Sequence, residues 1–308
     1  YVLIIMKKIN NLTVVIVTYL TEKKILLNCL QSIDKKTKVI IVENSKSFKN
    51  KNYFIKKFSN IEVVCTGLNL GYGNGNNFGL NKVKTDYALI LNPDIICKAD
   101  FFKNASKLIY KTNKFSIVGC QYSNDTAYLP AGFFDVKKHN NFKKNFYKNK
   151  KKLLTRVDWV TGCSMLINLK KYENRNIFDK NYFLYFEEFD LCKSTSDKGG
   201  FVYSSSDLKV LHLGFKGSLG ASKLLTIEAN RLRDWHWMWS YFYFYKKNYN
   251  YFYALFKISG KFFKSFLKTI FYTLVFNQVN RDKYLFRFLG LLFSIIGFKS
   301  NYRGKRFY

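Results

Sequence analysis

Short runs of β-branched residues alternate with helix-like stretches over the first 120 positions, and this alternation limits the fold more than any other feature. The run Thr13–Thr18 (TVVIVT) is typical of a central strand that is buried on both faces. A helix is predicted next, over Glu22–Ile33, and the pattern then repeats. Strands that alternate with helices at this spacing predict an α/β fold with a doubly wound, mostly parallel sheet. The further predicted strands are Lys38–Val42, Ile61–Cys65, Tyr87–Leu91 and Ser116–Gln121, and the further predicted helices are Phe78–Lys82 and Ala99–Thr112.

A strongly basic stretch interrupts this alternation after Val136. Residues 137–156 contain nine Lys or Arg and no acid, which is typical of a long, mobile surface loop. Residues 1–230 are therefore expected to form one domain with two parts, about 12–121 and 157–220, joined by this basic loop. In the second part, order is predicted to return at Val157–Asn168, followed by a helix over Phe183–Ser194 and short strands at Phe201–Ser204 and Lys209–Leu211.

The remaining residues, 231–308, are predicted to form a basic, amphipathic helical tail. They hold 27 of the 58 aromatic residues, and aromatic residues such as Trp235 and Trp239 recur at helical spacing. The most apolar stretches are Thr269–Phe276 and Leu289–Phe298, and both are shorter than the ~20 residues that a membrane-spanning helix needs. We therefore predict helices that lie at a membrane interface.

The chain carries a large excess of positive charge, with 52 Lys and Arg against 20 acids and a formal net charge of +32. Such an excess indicates an anionic partner, which can be a nucleic acid, an acidic membrane surface or a phosphorylated substrate. The six cysteines form no C-x-x-C pair, so neither a zinc ribbon nor a redox motif is indicated. Several of them lie inside apolar runs, which suits a reducing compartment. The apolar start, Tyr1–Met6, is too short for the core of a secretion signal. We expect a cytoplasmic protein that is peripheral on the cytoplasmic face of the inner membrane.

The tripeptide Asn92-Pro93-Asp94 directly follows the predicted strand Tyr87–Leu91. A carboxylate at the carboxyl end of a central strand lies in the crevice where open α/β sheets bind ligands. Proline ends the strand, so Asp94 is directed into that crevice, where it suits Mg²⁺ or Mn²⁺. Taken alone, the tripeptide is more often a simple turn.

A glycine-rich run, Asn69–Gly79, follows the third predicted strand and opens a helix. Its glycines do not have the dinucleotide-binding G-x-G-x-x-G spacing. They do allow a close approach between the backbone and a ligand, and the start of the helix can face a nucleotide. The alternative is an irregular loop without a ligand.

Three acids, Glu187, Glu188 and Asp190, stand among bulky apolar residues. Carboxylates in such surroundings are costly unless they are paired, bind a metal or line a cleft. Adjacent carboxylates raise each other's pKa, which suits one of them to act as a general base near neutral pH. The alternative is an acidic first helical turn that the helix dipole favours. His212, one of three histidines, is either structural or a further metal ligand.

Taken in order, seven segments resemble the family 2 glycosyltransferases, and most closely the rhamnosyltransferase-like branch, which carries N-P-D where relatives have D-x-D. The resemblance covers about residues 12–220 and implies a GT-A fold, with a nucleotide-sugar half in 12–121 and an acceptor half in 157–220. The segments are Val17–Tyr19, Val42–Ser45, Asn69–Gly79, Leu91–Asp94, Thr161–Ile167, Phe186–Cys192 and His212.

The resemblance implies an inverting, metal-dependent enzyme of cell-surface polysaccharide biosynthesis. It would move a hexosyl group, with rhamnose as a candidate, from a nucleotide-diphosphate donor to a glycan or lipid-linked acceptor. Mg²⁺ or Mn²⁺ would be bound by Asp94 and His212. Glu188 would be the catalytic base, supported by Glu187 and Asp190. The donor would contact Thr18, Tyr19, Glu43, Asn69, Gly71, Gly73, Asn76 and Asn92, and the acceptor would contact Thr161, Gly162 and Cys163.

Four positions depart from the family pattern: Leu20 replaces Asn, Glu43 and Glu188 replace Asp, and Ser194 replaces Arg. Two other functions are considered: a basic nucleic-acid-binding protein, and a membrane-surface protein with an inactive transferase domain. No sequence signature of a nucleic-acid-binding module appears, and the basic excess is greatest outside the predicted sheet. We therefore expect an anionic membrane surface as a partner and no nucleic acid.

Overall fold

The computed structural model describes residues 11–112, 114–122, 129–145, 154–214 and 223–304. The apolar first residues, Tyr1–Met6, on which the prediction about a secretion signal rests, lie outside these ranges. The strands are β1 Leu12–Thr18, β2 Lys38–Glu43, β3 Ile61–Cys65, β4 Tyr87–Leu91, β5 Ile95–Cys97, β6 Ile117–Tyr122, β7 Ala131–Gly132, β8 Leu154–Arg156, β9 Trp159–Val160, β10 Ser164–Asn168 and β11 Val202–His212. The helices are α1 Lys23–Gln31, α2 Lys51–Lys57, α3 Tyr72–Leu80, α4 Phe101–Lys111, α5 Val136–Asn145, α6 Glu187–Asp197, α7 Lys223–Asn248, α8 Tyr251–Leu274 and α9 Gln278–Ile295.

One large sheet organises the described residues, with the strand order β3-β2-β1-β4-β10-β6-β11-β5 and with β8 paired to β11. The first four of these strands are parallel, whereas β10 runs antiparallel to both β4 and β6. The expected α/β class is confirmed, and the sheet is parallel in its first half and mixed beyond β4. Because β1, β2 and β4 are parallel, their carboxyl ends meet at one edge, where open α/β sheets bind ligands.

Helices cover both faces of this sheet, as a doubly wound fold requires. Successive residues of β1 point to opposite faces, so Ile16 packs in the cluster that contains Leu26 of α1 and Phe54 of α2. Val15 faces the other way and packs in the cluster that contains Leu80 of α3. Both faces of the central strands are thereby buried, which explains their unbroken runs of β-branched residues.

The glycine-rich run is mostly helical, and the prediction of a helix limited to Phe78–Lys82 was wrong. Helix α3 begins at Tyr72. A Cβ at Gly79 would lie 2.5 Å from a methyl group of Val15 and 2.8 Å from one of Val42, distances too short for van der Waals contact. The glycines therefore let α3 approach β1 and β2 closely. The low helix propensity of glycine masked this helix in the sequence.

The basic stretch 137–156 was predicted to be a loop, and the described part of it is regular structure. It contains α5 and β8, while residues 146–153 lie outside the described ranges. Aromatic contacts anchor α5, since Phe142 packs edge to face on Phe133 at 5.4 Å between ring centroids. The two short strands predicted after Phe201 are one strand, β11, whose register shifts between Ser204 and Lys209.

The tail is helical, as predicted, but its first helix, α7, begins at Lys223 and not at 231. Helices α7, α8 and α9 pack on one another around a small core that contains Phe242 and Leu291. The tail also bonds to the segment before α6, since the Ser240 hydroxyl donates to the Leu184 carbonyl at 2.9 Å. Among the helices of the described ranges, none combines the length and the apolar character needed to cross a bilayer.

Two glycines in the tail are expected to respond in opposite ways to the same substitution. A Cβ at Gly290 of α9 would collide with the backbone carbonyl of Trp235 in α7, whereas a Cβ at Gly260 of α8 would meet nothing within 4 Å. Gly290→Ala is expected to lower the free energy of unfolding by about 2 kcal/mol, because α7 and α9 must separate. Gly260→Ala should raise it by about 0.5–1 kcal/mol, because alanine favours the helix. Urea denaturation of both variants measures this, and equal effects would show that α7 and α9 are not in close contact.

Candidate active site

A cleft of about 300 Å³ opens at the carboxyl ends of β1 and β4, and α7 forms part of its wall. Six of the residues predicted to bind the donor or the metal line this cleft. They are Tyr19, Asn69, Gly71, Asn92, Asp94 and His212. Residues that are far apart in the sequence are thus brought together at the edge of the sheet that the topology indicates.

Thr18 and Glu43, predicted to line a nucleotide pocket, end the neighbouring strands β1 and β2 and are paired in register. The Thr18 hydroxyl donates to one Glu43 carboxylate oxygen at 2.7 Å, and the Ser45 hydroxyl donates to the other at 2.7 Å. Burial raises the pKa of Glu43, and these two hydrogen bonds oppose that rise. Both side chains are buried and neither is part of the cleft lining, so they brace the strand ends next to Tyr19.

The next residue after Tyr19 has an unusual backbone. Leu20, which replaces the family's Asn, has φ of 50°, a left-handed conformation that Asn adopts more readily than Leu. Its side chain is exposed. The substitution therefore keeps the turn that asparagine would favour and gives up the side-chain amide.

Asn44 holds the start of the glycine run in place, although the sequence analysis did not select it. Its amide nitrogen donates to the Asn69 side-chain oxygen and to the Gly71 carbonyl, both at 3.0 Å. Its amide oxygen accepts from the Leu70 amide at 3.0 Å. The signal that was overlooked is a buried amide directly after the end of β2, where side chains face the ligand crevice.

Gly71 is required by the protein's own packing. Its φ is 84°, and a Cβ at this position would collide with the Phe183 carbonyl. The same carbonyl accepts a hydrogen bond of 2.9 Å from the Tyr72 amide. Gly73 and Asn76, also predicted to bind the donor, are buried within α3 and are not part of the cleft lining.

Asp94 and His212 lie side by side, with 3.6 Å between the Asp94 Oδ2 and the His212 Nε2. The sheet produces this contact, because His212 of β11 pairs with Ile95 of β5, directly after Asp94. The Asp94 carbonyl also accepts from the Leu213 amide at 3.0 Å. Asp94 is only 2% exposed, so its carboxylate is fixed at the base of the cleft.

The pair fits a divalent metal ion. Metal–ligand bonds of about 2.0–2.2 Å place two ligand atoms of one ion between about 3 and 4 Å apart, and 3.6 Å falls within that interval. A carboxylate oxygen and an imidazole nitrogen are a donor set that Mn²⁺ accepts. No cluster of three or more His, Cys, Asp or Glu suited to a metal occurs in the described ranges. In the described ranges, Asp94 and His212 are therefore the two side chains that would hold such an ion.

Tyr122, at the end of β6, links this pair to the predicted acceptor residues. Its ring centroid lies 5.5 Å from that of His212. Its hydroxyl lies 2.9 Å from both the Thr161 Oγ1 and the Cys163 Sγ. Burial raises the pKa of Cys163 to about 11, with the hydrogen bonds from Thr161 and Tyr122 opposing that rise, so its thiol is neutral near pH 7. No motif marks Tyr122 in the sequence.

The acidic cluster begins helix α6, and the turn before it is strained. Tyr185 and Phe186 have φ of 69° and 67°, conformations that cost about 1–3 kcal/mol each and cluster at functional sites. The helix dipole favours acids in the first turn.

Burial and then the charge of Glu188 raise the pKa of Glu187 well above its usual range. Burial raises the pKa of Glu188 to about 7, with backbone amides, including that of Gly162, opposing the rise.

Tyr72 connects the cleft with Glu188. Its ring lines the cleft, and its hydroxyl donates to the Gly162 carbonyl. A Cβ at Gly162 would lie 3.3 Å from the Tyr72 ring and 3.5 Å from the Glu188 Cβ. Gly162 therefore separates Tyr72 from Glu188 by little more than one atomic layer. A bulkier residue would push the acidic helix away from the cleft.

Asp190 faces the tail. One carboxylate oxygen accepts from the Lys247 ammonium at 2.6 Å, and the other accepts from the Asn248 amide at 2.9 Å. Lys247 also contacts Asp179 at 2.7 Å. This lysine supplies the cation that Ser194, in place of the family's Arg, does not. The structure therefore places Asp190 in a link between α6 and α7, which the sequence analysis did not identify.

The sheet order, the helices on both faces and the carboxylate–imidazole pair at the strand ends define a GT-A-type glycosyltransferase domain. The chain belongs to glycosyl transferase family 2, whose model matches residues 13–174. The expected family and fold are confirmed.

Two curated relatives agree with this assignment. The chain is 27% identical over 206 residues to rhamnosyltransferase WbbL of Escherichia coli K12. This match covers 58% of this chain and 72% of the relative. It is 24% identical over 192 residues to the low-salt glycan biosynthesis hexosyltransferase Agl10 of Haloferax volcanii. This match covers 60% of this chain and 61% of the relative. The second match thus spans about three fifths of that protein.

Solved structures share the fold at low sequence identity. The mannosyltransferase PcManGT of Pyrobaculum calidifontis, in complex with GDP-Man and Mn²⁺, has a TM-score of 0.52 and 12% identity, with 92% of this chain and 87% of that chain covered. GalNAc-T7 with UDP, GalNAc and Mn²⁺ has a TM-score of 0.53 and 14% identity, with 77% of this chain and 47% of that chain covered. At this identity the likeness concerns the fold.

Proposed function

We propose that this glycosyltransferase moves a hexosyl group, with rhamnose as the first candidate, from a nucleotide-diphosphate donor to an acceptor hydroxyl with inversion. The observation that carries the proposal is the pairing of Asp94 with His212 at 3.6 Å in a cleft that Tyr72 joins to Glu188. The similarity to a rhamnosyltransferase supports the sugar. The bound nucleotide sugar of PcManGT supports the donor class.

The donor would occupy the cleft. Tyr19 and Asn69 would hold the nucleoside, since both line the cleft at the ends of the first strands. Arg233 of α7 also lines the cleft, and its charge lies close enough to Tyr185 to oppose the burial that raises the pKa of that tyrosine to about 12. A guanidinium is suited to a diphosphate because it donates to two oxygens at once. Arg233 is thus a donor-binding residue that the sequence analysis did not select.

Asp94 and His212 would hold the divalent ion, Mg²⁺ or Mn²⁺. When bound, it supplies positive charge that offsets the charge on the departing nucleoside diphosphate. Two protein groups would suffice to hold it, because such ions are commonly bound by one or two side chains together with substrate phosphates. The Mn²⁺ present in the complexes of PcManGT and GalNAc-T7 supports this choice.

Glu188 would be the general base. Its carboxylate takes the proton of the acceptor hydroxyl while that oxygen forms a bond to the anomeric carbon. The bond from this carbon to the diphosphate oxygen breaks, and the diphosphate carries away the electron pair. Attack from the side opposite the leaving group inverts the anomeric centre. A pKa near 7 suits the role, because about half of the base is then ionised near neutral pH and the carboxylate accepts a proton readily.

The acceptor would meet Thr161, Gly162 and Cys163, which lie between Tyr122 and Glu188. A glycan or lipid-linked acceptor in cell-surface polysaccharide synthesis, on the cytoplasmic face of the inner membrane, accounts for both the transferase domain and the basic aromatic tail. The name of the Haloferax relative, a glycan biosynthesis enzyme, supports this class of pathway.

A thermal-shift panel of nucleoside diphosphates with and without Mn²⁺ tests the proposal. One nucleotide is expected to stabilise the parent, with a larger shift when Mn²⁺ is present; a ligand at 100 times its Kd adds about 2.7 kcal/mol. Asp94→Asn should lose the Mn²⁺-dependent part of the shift. The matched control is Asp207→Asn, the same change at an exposed position of β11, and it should retain the full shift. No shift with any nucleotide would favour an inactive transferase domain.

A further inference from the structure

Helix α8 has two apolar stripes, and one of them is buried. Ala254 and Ile258 pack against Met238, Phe242 and Leu291 in the small core of the tail. An ordinary surface helix buries one such stripe and presents charged or polar residues on the opposite side. The buried side of α8 carries the expected apolar stripe. The opposite side carries a second apolar stripe, where charged or polar residues are expected.

The second stripe, which we call the outer stripe, consists of exposed bulky residues. Their spacings are four or seven residues, which correspond to one or two turns of the helix, so they lie along one line of its surface. Phe256 is 75% exposed, and the others are similarly accessible. The stripe is formed by Phe252, Phe256, Phe263, Leu267 and Leu274. At 1.5 Å per residue it is roughly 33 Å long.

The turn after α8 and the start of α9 add further exposed apolar residues. Val275, Phe276 and Val279 are all exposed, and Phe276 is 90% accessible. Phe276 also has φ of 54°, an unfavourable conformation for an aromatic residue. A strained, fully presented phenylalanine next to the outer stripe contributes nothing to the packing of the monomer. It enlarges an exposed apolar surface, which is unfavourable in water unless a partner covers it.

Lysines border the outer stripe on one side. Lys257, Lys264 and Lys268 each directly follow a stripe residue, so each lies about 100° around the helix axis from it. Lys261 joins the same row, and α8 contains no acid. The ammonium groups of Lys257, Lys261 and Lys268 rest over tyrosine rings, at 5.3, 5.2 and 4.9 Å from the ring centroids of Tyr253, Tyr241 and Tyr284. The positive row is therefore held between the outer stripe and the protein body.

We propose that the outer stripe docks on the surface of an anionic lipid bilayer. An apolar line of Phe and Leu with lysines beside it matches the two layers of such a surface, acyl chains below and negative headgroups above. Docking leaves α8 parallel to the bilayer. The charge complementarity selects an anionic membrane over a neutral one.

This docking would position the active site. Helix α8 packs on α7, and α7 supplies Leu232 and Arg233 to the cleft wall. A bound α8 therefore holds the cleft at a fixed height above the headgroups, where a lipid-linked acceptor presents its sugar. The inference itself does not rest on the transferase proposal, because the outer stripe is separate from the cleft.

Flotation of the full chain with vesicles tests the proposal. The parent is expected to float with vesicles of phosphatidylcholine and phosphatidylglycerol, and much less with phosphatidylcholine alone. The double variant Phe256→Asp/Leu267→Asp should bind at least about tenfold more weakly, because it places charge on the buried side of the contact. The matched control is Ile55→Asp/Tyr110→Asp, the same change of charge at exposed apolar residues of α2 and α4, and it should float like the parent.

Several results would overturn the proposal. These are equal flotation of both double variants, equal flotation on neutral and anionic vesicles, and a parent that does not float. A stable dimer that the Phe256→Asp/Leu267→Asp variant splits would assign the outer stripe to a second copy of the chain. The nucleotide-induced thermal shift is measured on the same variants. Its retention with loss of flotation shows an intact fold, and its absence in the parent would contradict the transferase proposal alone.

Discussion

Replacement of Glu188 by Gln is expected to lower kcat by about 10²–10⁴-fold, the usual contribution of a general base. The variant keeps the size of the side chain and removes its ability to take a proton. Donor affinity should change little, because Glu188 lies outside the cleft lining. Turnover of the donor by purified parent and variant measures the effect. Glu173→Gln, the same change at an exposed acid, is the control, and its activity should equal that of the parent.

The pH dependence of the same reaction gives a second readout. Only the ionised base accepts a proton, so kcat/KM of the parent should rise with pH and level off above about 7, the pKa to which burial raises Glu188. The residual activity of the Gln variant should lack this rise. A parent profile that is flat between about pH 5.5 and 8 would remove Glu188 from the role of base.

The raised pKa has a consequence for stability as well. Because the pKa of Glu188 is about 7 in the folded chain against an ordinary value of 4.5, folding favours the protonated form. The stability from this group is fully present below about pH 4.5 and is lost as the pH rises through about 7. Glu188→Gln should therefore be more stable than the parent at pH 8, by about 1–3 kcal/mol, and similar to it at pH 4.

The second large effect is expected at the link between α6 and the tail. Lys247→Met should lower the free energy of unfolding by about 2 kcal/mol, because it leaves the buried Asp190 carboxylate without its cation. Asp179 loses the same partner. Burial is the largest single influence on the pKa of Asp179 and raises it. The hydrogen bonds from Lys247, Asn181 and Tyr243, together with the charge of Lys247, outweigh burial and hold that pKa below its usual range. Urea denaturation near pH 7.5 measures the loss.

Lys246→Met is the matched control, since Lys246 is exposed and its ammonium group lies 5.8 Å from the ring centroid of Tyr251. Its effect should stay within about 0.5 kcal/mol. Because the pKa of Asp179 is lowered in the fold, the stability it gains is present above its ordinary pKa of 3.8 and is lost as the pH falls below that value. The gap between parent and Lys247→Met should therefore narrow in acid. Equal stability of the two lysine variants at pH 7.5 would mean that the link contributes nothing.

The parallel half of the sheet could be predicted from the sequence because its signal is local. Strands β3 and β4 have the predicted bounds, and β1 begins one residue earlier than predicted. Runs of β-branched residues between helices are enough to identify buried parallel strands. Helix α3 was misjudged because its glycines, poor helix formers, serve close packing on Val15 and Val42, a tertiary requirement. Helix α5 was misjudged because a few aromatic contacts outweigh a basic composition.

Several residues that line the cleft could be selected from the sequence because a motif marks them. Asp94 and His212 are brought together by the pairing of β5 with β11, although no local pattern fixes that pairing. Tyr122, Arg233 and Lys247 were missed because each acts across the fold and stands in no recognisable motif. The contacts of these three residues depend on which strand or helix packs beside them in the folded chain.

Helix α7 is part of both the cleft wall and the link to the acidic helix α6, so changes in the tail are not independent of the cleft. Its first turns include Leu232 and Arg233 of the cleft wall, and its last turn includes Lys247, which holds the acidic helix. A change that shifts α7 would therefore alter the cleft wall and the contact with the acidic helix together. Exchanging the tail between relatives would also exchange part of the cleft wall.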